Sequence, residues 1–337
     1  MKRGESGLSL VVGVDKPSGM TSHDVVNRCR RIFGEKRVGH TGTLDPLASG
    51  VLPICIGPAT RLGAYLTGHD KAYRATIAFG VGTDTDDCEG AVTRTAPAPV
   101  EVGHRAFAEQ FVAQMVGPQK QLPPAYSAIK VNGKKSYEAA REGHIIELSP
   151  RDIEVYQATL LAVREGNGDA LPEWDVEFRV SKGTYIRALA RDMGLRLGCP
   201  AHLSGLRRLE VGGLQLDECV SLEALEDLKL RAALDPVRLL GVRFVYADGA
   251  LANAVKNGNA LPAAACTLFE RRRTTVQAEL CACTAGVCES AEPPADGEVV
   301  AVIFENKVIA LYKYEEKHVR FKACCVFQTG VLRGSDI

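Results

Sequence analysis

Trp174-Asp175-Val176-Glu177-Phe178-Arg179-Val180-Ser181-Lys182-Gly183-Thr184-Tyr185-Ile186-Arg187 carries the clearest structural signal in the chain. Trp174, Val176, Phe178 and Val180 alternate with Asp175, Glu177 and Arg179, the period-two pattern of a strand with one buried face. Ser181-Lys182-Gly183 turns the chain, and Ile186, Leu189, Ala190, Met193 and Leu197 then share one face of a helix. The order is thus strand, tight turn and helix in direct succession.

Upstream, residues 8–14 read as a buried strand broken by Lys16-Pro17-Ser18-Gly19. Thr21 fits a helix N-cap with Asp24 in the capping-box position, and Val25, Val26, Cys29, Ile32 and Phe33 follow at helical spacing until Gly34. Residues 39–50 form a polar loop punctuated by glycine, and 51–56 are apolar, interrupted by Pro53. Tyr73, Ala75, Ile77 and Phe79 alternate with Arg74, Thr76 and Ala78 as a second one-faced strand. Residues 105–116 read as helix, 121–130 as an extended segment with prolines, and 136–141 as the start of a further helix. Downstream, composition shifts near residue 240. The runs 299–304, 308–314 and 324–327 predict a small, mostly β second domain interrupted at about 279–297 by a low-order insertion rich in Ala, Cys and Pro. The expected organisation is a catalytic domain over 1–240 and a β-rich domain over 241–337.

The 337 residues are 46% hydrophobic and 24% charged, the profile of an ordinary globular protein. No apolar run approaches a membrane span. The apolar stretch at 8–14 is too short, and too soon followed by Asp15-Lys16-Pro17, for a secretory signal, so a cytoplasmic protein is expected. Eleven scattered cysteines do not make a disulfide framework. Cys281, Cys283 and Cys288, with Cys266 upstream, have C-x-C and C-x₄-C spacings rather than paired knuckles, so no metal site is expected. Net charge is zero, but the charge is segregated. Arg28, Arg30, Arg31, Lys36 and Arg37 form one basic patch and Arg187, Arg191, Arg196, Arg207 and Arg208 another, while Asp84, Asp86, Asp87 and Glu89 gather elsewhere.

Asp45, read alone in an Asp-Pro dipeptide, is a turn residue. Its company argues for more: Gly39, His40, Thr41, Gly42 and Thr43 let the backbone approach a ligand closely, and the loop follows a basic patch. Arg187 falls in the first turn of its helix, where the macrodipole disfavours a cation, and such local inconsistencies mark functional sites. An arginine there is placed to pair with a carboxylate from another loop. Tyr73 alone fits a core tyrosine, and His40 alone fits a turn histidine. Other motifs fail. Gly133-Lys134-Lys135-Ser136 lacks the glycine and residue order of a phosphate loop, Asp84-Thr85-Asp86-Asp87 has no glycine at the sixth calcium-loop position, and no dinucleotide-binding glycine motif joins a strand to a helix. A nucleotide-cofactor or metal enzyme is therefore not expected.

Val14-Asp15-Lys16-Pro17-Ser18-Gly19-Met20-Thr21-Ser22 followed by Gly39-His40-Thr41-Gly42-Thr43-Leu44-Asp45-Pro46 resembles the TruB family of tRNA pseudouridine synthases. Further matches come in the expected order: Lys71-Ala72-Tyr73-Arg74-Ala75, Pro123-Pro124-Ala125-Tyr126-Ser127-Ala128-Ile129-Lys130, Ser181-Lys182-Gly183-Thr184-Tyr185-Ile186-Arg187 and Leu206-Arg207-Arg208-Leu209. The likeness covers about residues 8–215. The rest resembles the small RNA-binding domain of bacterial members only loosely, and its cysteine-bearing insertion departs from that pattern. The resemblance implies a mixed, largely antiparallel sheet flanked by helices, the pseudouridine synthase fold, with a small mostly-β, PUA-like RNA-binding domain. It implies a monomer that converts uridine 55 in the tRNA T-loop to pseudouridine, with the T-loop and T-stem as partner and no cofactor or metal. Residue by residue, Asp45 matches the essential aspartate, Tyr73 the tyrosine that stacks on the target base, and Arg187 the arginine that pairs with the aspartate. His40 looks like the histidine that replaces the extruded base in the loop stack. Tyr185 and Leu206 look like further pocket residues, and Lys16 is similar to a lysine packed near the pocket. The chemistry agrees with that set: the base must leave its stack before the glycosidic bond breaks, and a carboxylate serves as nucleophile or as base. A catalytically idle RNA-binding protein, or an enzyme guided by a separate RNA, are the competing readings.

Overall fold

The computed structural model describes residues 6–127, 129–131, 134–136, 146–167, 170–271 and 286–334. Its larger sheet uses β1 (Leu10–Lys16), β2 (Val38–His40), β3 (Ser49–Ile56), β4 (Lys71–Phe79), β5 (Gly117–Gln121), β6 (Arg151–Arg164), β7 (Glu173–Val180), β8 (Ala201–Val211) and β9 (Leu214–Gln215). The strands run β1-β3-β8-β4-β7-β6-β5, with β2 on β3 and β9 on β8. Among these pairs only β3 and β8 are parallel, through Arg207↔Ser49 and Arg208↔Gly50. The sheet is thus mixed and largely antiparallel, and the fold is α+β.

The alternation along β7 is fully realised. Trp174, Val176, Phe178 and Val180 are all buried, whereas Asp175 faces outward, accepting from Thr76 at 2.6 Å and from Arg164. The buried face is covered by α2 (Arg105–Ala113) and α3 (Ile186–Leu197), whose Ala108, Val112, Ile186, Leu189, Ala190 and Met193 join its core. Trp174 meets Phe79 edge-on with ring centroids 4.7 Å apart, and its indole N–H donates to the Val102 carbonyl at 2.8 Å. At the other end of the sheet α1 (Ser22–Phe33) covers β1 and β3 with Val25, Val26, Cys29 and Phe33. Its Thr21–Asp24 capping box and left-handed Gly34 follow the sequence reading.

Several segments differ from that reading. The polar loop is shorter than 39–50: Gly39 and His40 pair with Cys55 and Ile54 inside the sheet, and Ser49 and Gly50 already belong to β3. Pro53 sits within β3, its carbonyl accepting from Thr41 N at 3.2 Å. Residues 105–116 are helical only to Ala113, and 137–141, where a further helix was expected to begin, lie outside the described residues. β6 was not anticipated at all. Its fourteen residues bury little, and register shifts at Val155/Gln157 and Leu160/Ala162 break the alternation that would betray a strand.

The second sheet uses β10 (Phe244–Tyr246), β11 (Leu261–Pro262), β12 (Phe269–Arg271), β13 (Val287–Glu289), β14 (Val299–Phe304), β15 (Lys307–Glu315) and β16 (Arg320–Leu332) in the order β11-β16-β15-β14-β10-β12-β13. The expected insertion is not uniformly irregular. Residues 272–285 lie outside the described residues, but β13 within it pairs with β12. The two sheets share apolar packing: Val11, Val51 and Cys55 belong to one core with Phe244, Leu311 and Val331. Polar contacts lock this junction. Leu332 N donates to the Ser9 carbonyl at 2.8 Å, and wholly buried Asp235 receives Arg333 Nη2 at 2.8 Å, Arg333 Nε at 3.0 Å and the Arg271 guanidinium. Among the described residues no helix is long and apolar enough to cross a membrane.

Candidate active site

The loop carrying Asp45 leaves β2 and enters β3, and it is anchored on two sides. On the α1 side, Ser22 Oγ donates to the Leu44 carbonyl at 3.0 Å and accepts from Leu44 N at 2.8 Å. Gly19 N and Ser18 Oγ donate to the carbonyls of Pro46 and Leu47. On the β8 side, Arg208 donates to the carbonyls of Gly42 at 3.1 Å, Thr43 at 3.4 Å and Val51 at 2.7 Å. Glycine at position 50 is required for this approach: its φ is +103°, and a Cβ would lie 2.1 Å from the Arg208 carbonyl oxygen.

Held this way, Asp45 stays partly open, its side chain 36% exposed, and its Oδ2 lies 2.9 Å from Nε of buried Arg187. Arg187 is in the first turn of α3, as the sequence indicated, and its neighbours explain how a cation survives there. Nη1 donates to the Thr85 carbonyl at 2.7 Å and lies 3.4 Å from Asp87 Oδ2, and Nη2 donates to the Tyr126 carbonyl at 2.9 Å. Two carboxylates and two carbonyls thus outweigh the unfavourable helix terminus. The N-terminus of α3 is itself fixed by Gln121, which accepts from Tyr185 N at 2.9 Å and donates to the Tyr185 carbonyl at 3.1 Å.

Tyr73 lies on β4 directly opposite Arg208 and Phe178. It is buried, and that burial pushes its hydroxyl pKa up; Arg208 pulls it down and Asp45 adds to the rise, so the phenol stays protonated. Tyr185 is likewise raised by burial, with the charges of Arg187 and Asp45 among its influences. Lys16 directs its buried ammonium at the carbonyls of Met20 at 2.5 Å, Pro17 at 2.8 Å and Pro46 at 3.4 Å. Burial lowers its pKa to about 8, against the opposing pull of Asp45. Leu206 is half-buried on β8, opposite Ala75, against the core that holds Tyr73. His40 stands apart from the Asp45–Arg187 pair, at the β2 end of the loop. Its Nδ1 accepts from Gly42 N at 3.4 Å, and burial, with Arg208 and His23 nearby, lowers its pKa and favours neutral imidazole.

Two sequence-level readings need correction. The second basic patch is mostly not an open cationic surface: Arg187 and Arg208 are buried, Arg191 is paired with Asp86 and Asp192, and Arg207 with Asp15, while Arg196 is exposed and donates to Gln119. The acidic run, set aside as a failed calcium motif, is not elsewhere; it supplies Asp87 to Arg187 and Asp86 to Arg191. Arg187 and Arg191, four apart on one helix face, were the signal that two acids were needed. Arg208 stood in a matched motif without an assigned role and Gln121 had no signal of its own, because only long-range pairing brings them to the site. Among the described residues no His, Cys, Asp and Glu cluster could hold a metal, and Cys281 and Cys283 lie outside those residues.

Comparison with known proteins matches residues 30–186 to the N-terminal domain of the TruB family pseudouridylate synthases, and residues 187–240 to the tRNA pseudouridylate synthase B C-terminal domain. A protein of Mycobacteroides abscessus named tRNA pseudouridine synthase B is 48% identical over 259 residues, spanning 76% of this chain and 85% of its own. Its namesake in Mycobacterium tuberculosis is 46% identical over 259 residues, 77% of this chain and 85% of that one. Among solved structures, a Cbf5-Nop10-Gar1 complex has a chain of the same fold, with TM-score 0.63 and 22% identity over 95% of this chain and 83% of that chain. With an anchored Asp–Arg pair on a mixed sheet and both models matching in tandem, the chain belongs to the TruB family of pseudouridylate synthases.

Proposed function

We propose that this enzyme isomerises uridine 55 in the T-loop of tRNA to pseudouridine, with Asp45 as its catalytic carboxylate. The observation that carries the reading is the ion pair between partly exposed Asp45 and a buried Arg187 whose two terminal nitrogens are both held by other partners. A carboxylate fixed on one side and open on the other is oriented toward a ligand. The target base leaves its stack and enters the pocket over Tyr73, whose ring offers a platform for it. Asp45 then acts at the sugar, as nucleophile at the anomeric carbon or as base at its neighbour. The glycosidic C–N bond breaks, the uracil turns, and a C–C bond forms at the same sugar carbon. The proton displaced from the base carbon leaves to solvent, with the Tyr73 hydroxyl in reach as a relay. Tyr185 and Leu206 line the pocket, Lys16 supports the loop beneath it, and His40 fills the gap left by the extruded base. No cofactor takes part in this scheme.

The relatives carry tRNA in their names, and that supports the substrate. Residues 1–240 would act as the catalytic domain and 241–337 as a PUA-like RNA-binding domain, in a cytoplasmic monomer that grips the T-stem and T-loop. Incubating the purified protein with unmodified tRNA, with no guide RNA present, and mapping pseudouridine chemically tests activity and position together. Modification at position 55 is expected; its absence would sink the reading, and modification only after a guide RNA is added would favour a guided enzyme.

A further inference from the structure

Arg208 is one of the largest wholly buried side chains in the molecule, 1% exposed, and among the described residues no carboxylate comes within ion-pair distance of it. A buried guanidinium that faces only neutral acceptors is a costly arrangement, and replacing it with an apolar side chain would relieve that cost. Its three carbonyl acceptors lie in the Asp45 loop and at the adjoining β3 residue Val51, and β8 sets it directly across from Tyr73 on β4. Arg208 lowers the pKa of the Tyr73 hydroxyl and Asp45 raises it, so charges of both signs bear on that hydroxyl.

We propose that Arg208 is a positioning residue for Tyr73: its guanidinium, fixed by the carbonyls of the Asp45 loop, ties that loop to the Tyr73 strand and presents the hydroxyl oxygen with an unneutralised positive charge. The inference rests on the reading of Tyr73 as a pocket residue that can relay a proton. When the hydroxyl hands its proton on, negative charge grows on the phenolic oxygen, and a fixed cation without a carboxylate partner stabilises it where a neutral donor would not. The absence of a partner acid, unfavourable for folding, is then what makes the residue effective. The same three carbonyl bonds keep the distance between base platform and carboxylate constant through the reaction.

The test uses the full chain with 3-fluorotyrosine installed at position 73, whose fluorine NMR signal is followed as pH rises. This readout does not depend on turnover. In Arg208→Gln the hydroxyl becomes an about tenfold weaker acid, and single-turnover pseudouridine formation slows at least about tenfold while tRNA affinity stays within about threefold. Arg208→Lys restores most of the acidity, since charge returns, but only part of the rate, since an ammonium lacks the planar fork that holds three carbonyls. In a Tyr73→Phe background the Arg208 substitution has little further effect on rate, as expected for two groups that act through one another. An unchanged titration in folded Arg208→Gln overturns the proposal. A rate loss undiminished in the Tyr73→Phe background also overturns it, because a purely structural clamp behaves that way. If Arg208→Gln fails to fold, Arg208→Lys decides through the same cycle: a rate loss that vanishes with Tyr73→Phe supports the proposal, and a wild-type rate overturns it. If the unsubstituted protein makes no pseudouridine, the functional reading fails while the titration still reports on Arg208.

Discussion

Two of the aspartate–arginine clusters among the described residues have inverted stoichiometry. At the junction of the two sheets, one aspartate serves two arginines: Asp235 is wholly buried and meets Arg333, Arg271 and the Val237 N–H. At the candidate active site, one arginine serves two aspartates: Arg187 meets Asp45 and Asp87. In the first the carboxylate is saturated. Burial would raise its pKa, but the hydrogen bonds and charge of Arg333, with Arg271 and the Val237 N–H, outweigh that and hold it below the ordinary value. In the second every nitrogen of the arginine has a partner, and one carboxylate keeps an open side. A saturated acid is a brace. An acid that orients on one side and faces solvent on the other is placed to react.

The strongest way to break this contrast is Asp45→Asn. It should lower single-turnover pseudouridine formation by at least about 10³-fold, while a partly exposed, isosteric change that leaves Arg187 with Asp87 and two carbonyls alters stability by only about 1 kcal/mol. A folded variant with wild-type turnover would dissolve the distinction. Asp235→Asn should do the reverse, destabilising the fold by about 3–5 kcal/mol in urea titration by removing the acid from its buried ion pair with Arg333, with turnover per folded molecule close to wild type. Because the folded-state pKa of Asp235 is depressed, its stabilisation is full above the unfolded aspartate value and is lost as pH falls through the folded one. The wild-type and Asp235→Asn stabilities should therefore converge only in strong acid; a constant gap down to that range would remove the ion pairs as the cause. Arg187→Lys sharpens the comparison from the arginine side. A lysine keeps the charge but not the planar fork that reaches Asp45, Asp87 and two carbonyls at once, so turnover should fall by about 10–10²-fold. Unaltered single-turnover rates would take Arg187 out of the site. The smallest expected effect concerns the surface. Arg28 is paired with Glu226, whereas Lys36 is exposed. Lys36→Ala should weaken tRNA binding slightly and reduce its salt slope by about 1, and Arg28→Ala should not. Equal slopes for the two variants would count against a role for this basic patch.

The sequence signals that held were periodic and local. β7 and α3 were legible because periods of two and of 3.6 run uninterrupted through Trp174–Val180 and Ile186–Leu197, and α1 because its cap is written in Thr21 and Asp24. β2 was hidden because three residues ending in Gly39-His40 are too few to show a period. β6 was hidden because its register shifts scramble the pattern. At the site, the ion pair of Arg187 and Asp45 could be anticipated because a cation at a helix start breaks a local rule, and the shared motifs assigned it a partner. Asp87 and Arg208 break no local rule. An acid in a polar run and an arginine in a strand look ordinary until β8 is laid against β3 and β4, so their environment is a property of the sheet and is absent from any window of sequence.

The parallel seam between β3 and β8 has a consequence for the order in which the molecule is made. Arg208 lies 157 residues beyond the Val51 carbonyl that it grips, and Arg187 arrives long after the Asp45 loop has left the ribosome. Contacts that distant close late and slowly, since a long intervening chain must be ordered first. The Asp45 loop therefore emerges early but is held from the α1 side alone until β8 docks, and β16, through Leu332 on Ser9, closes over β1. A nascent chain truncated before residue 208 would carry the motif of the enzyme without its geometry, so the competence to modify RNA arises as a late, cooperative event of synthesis.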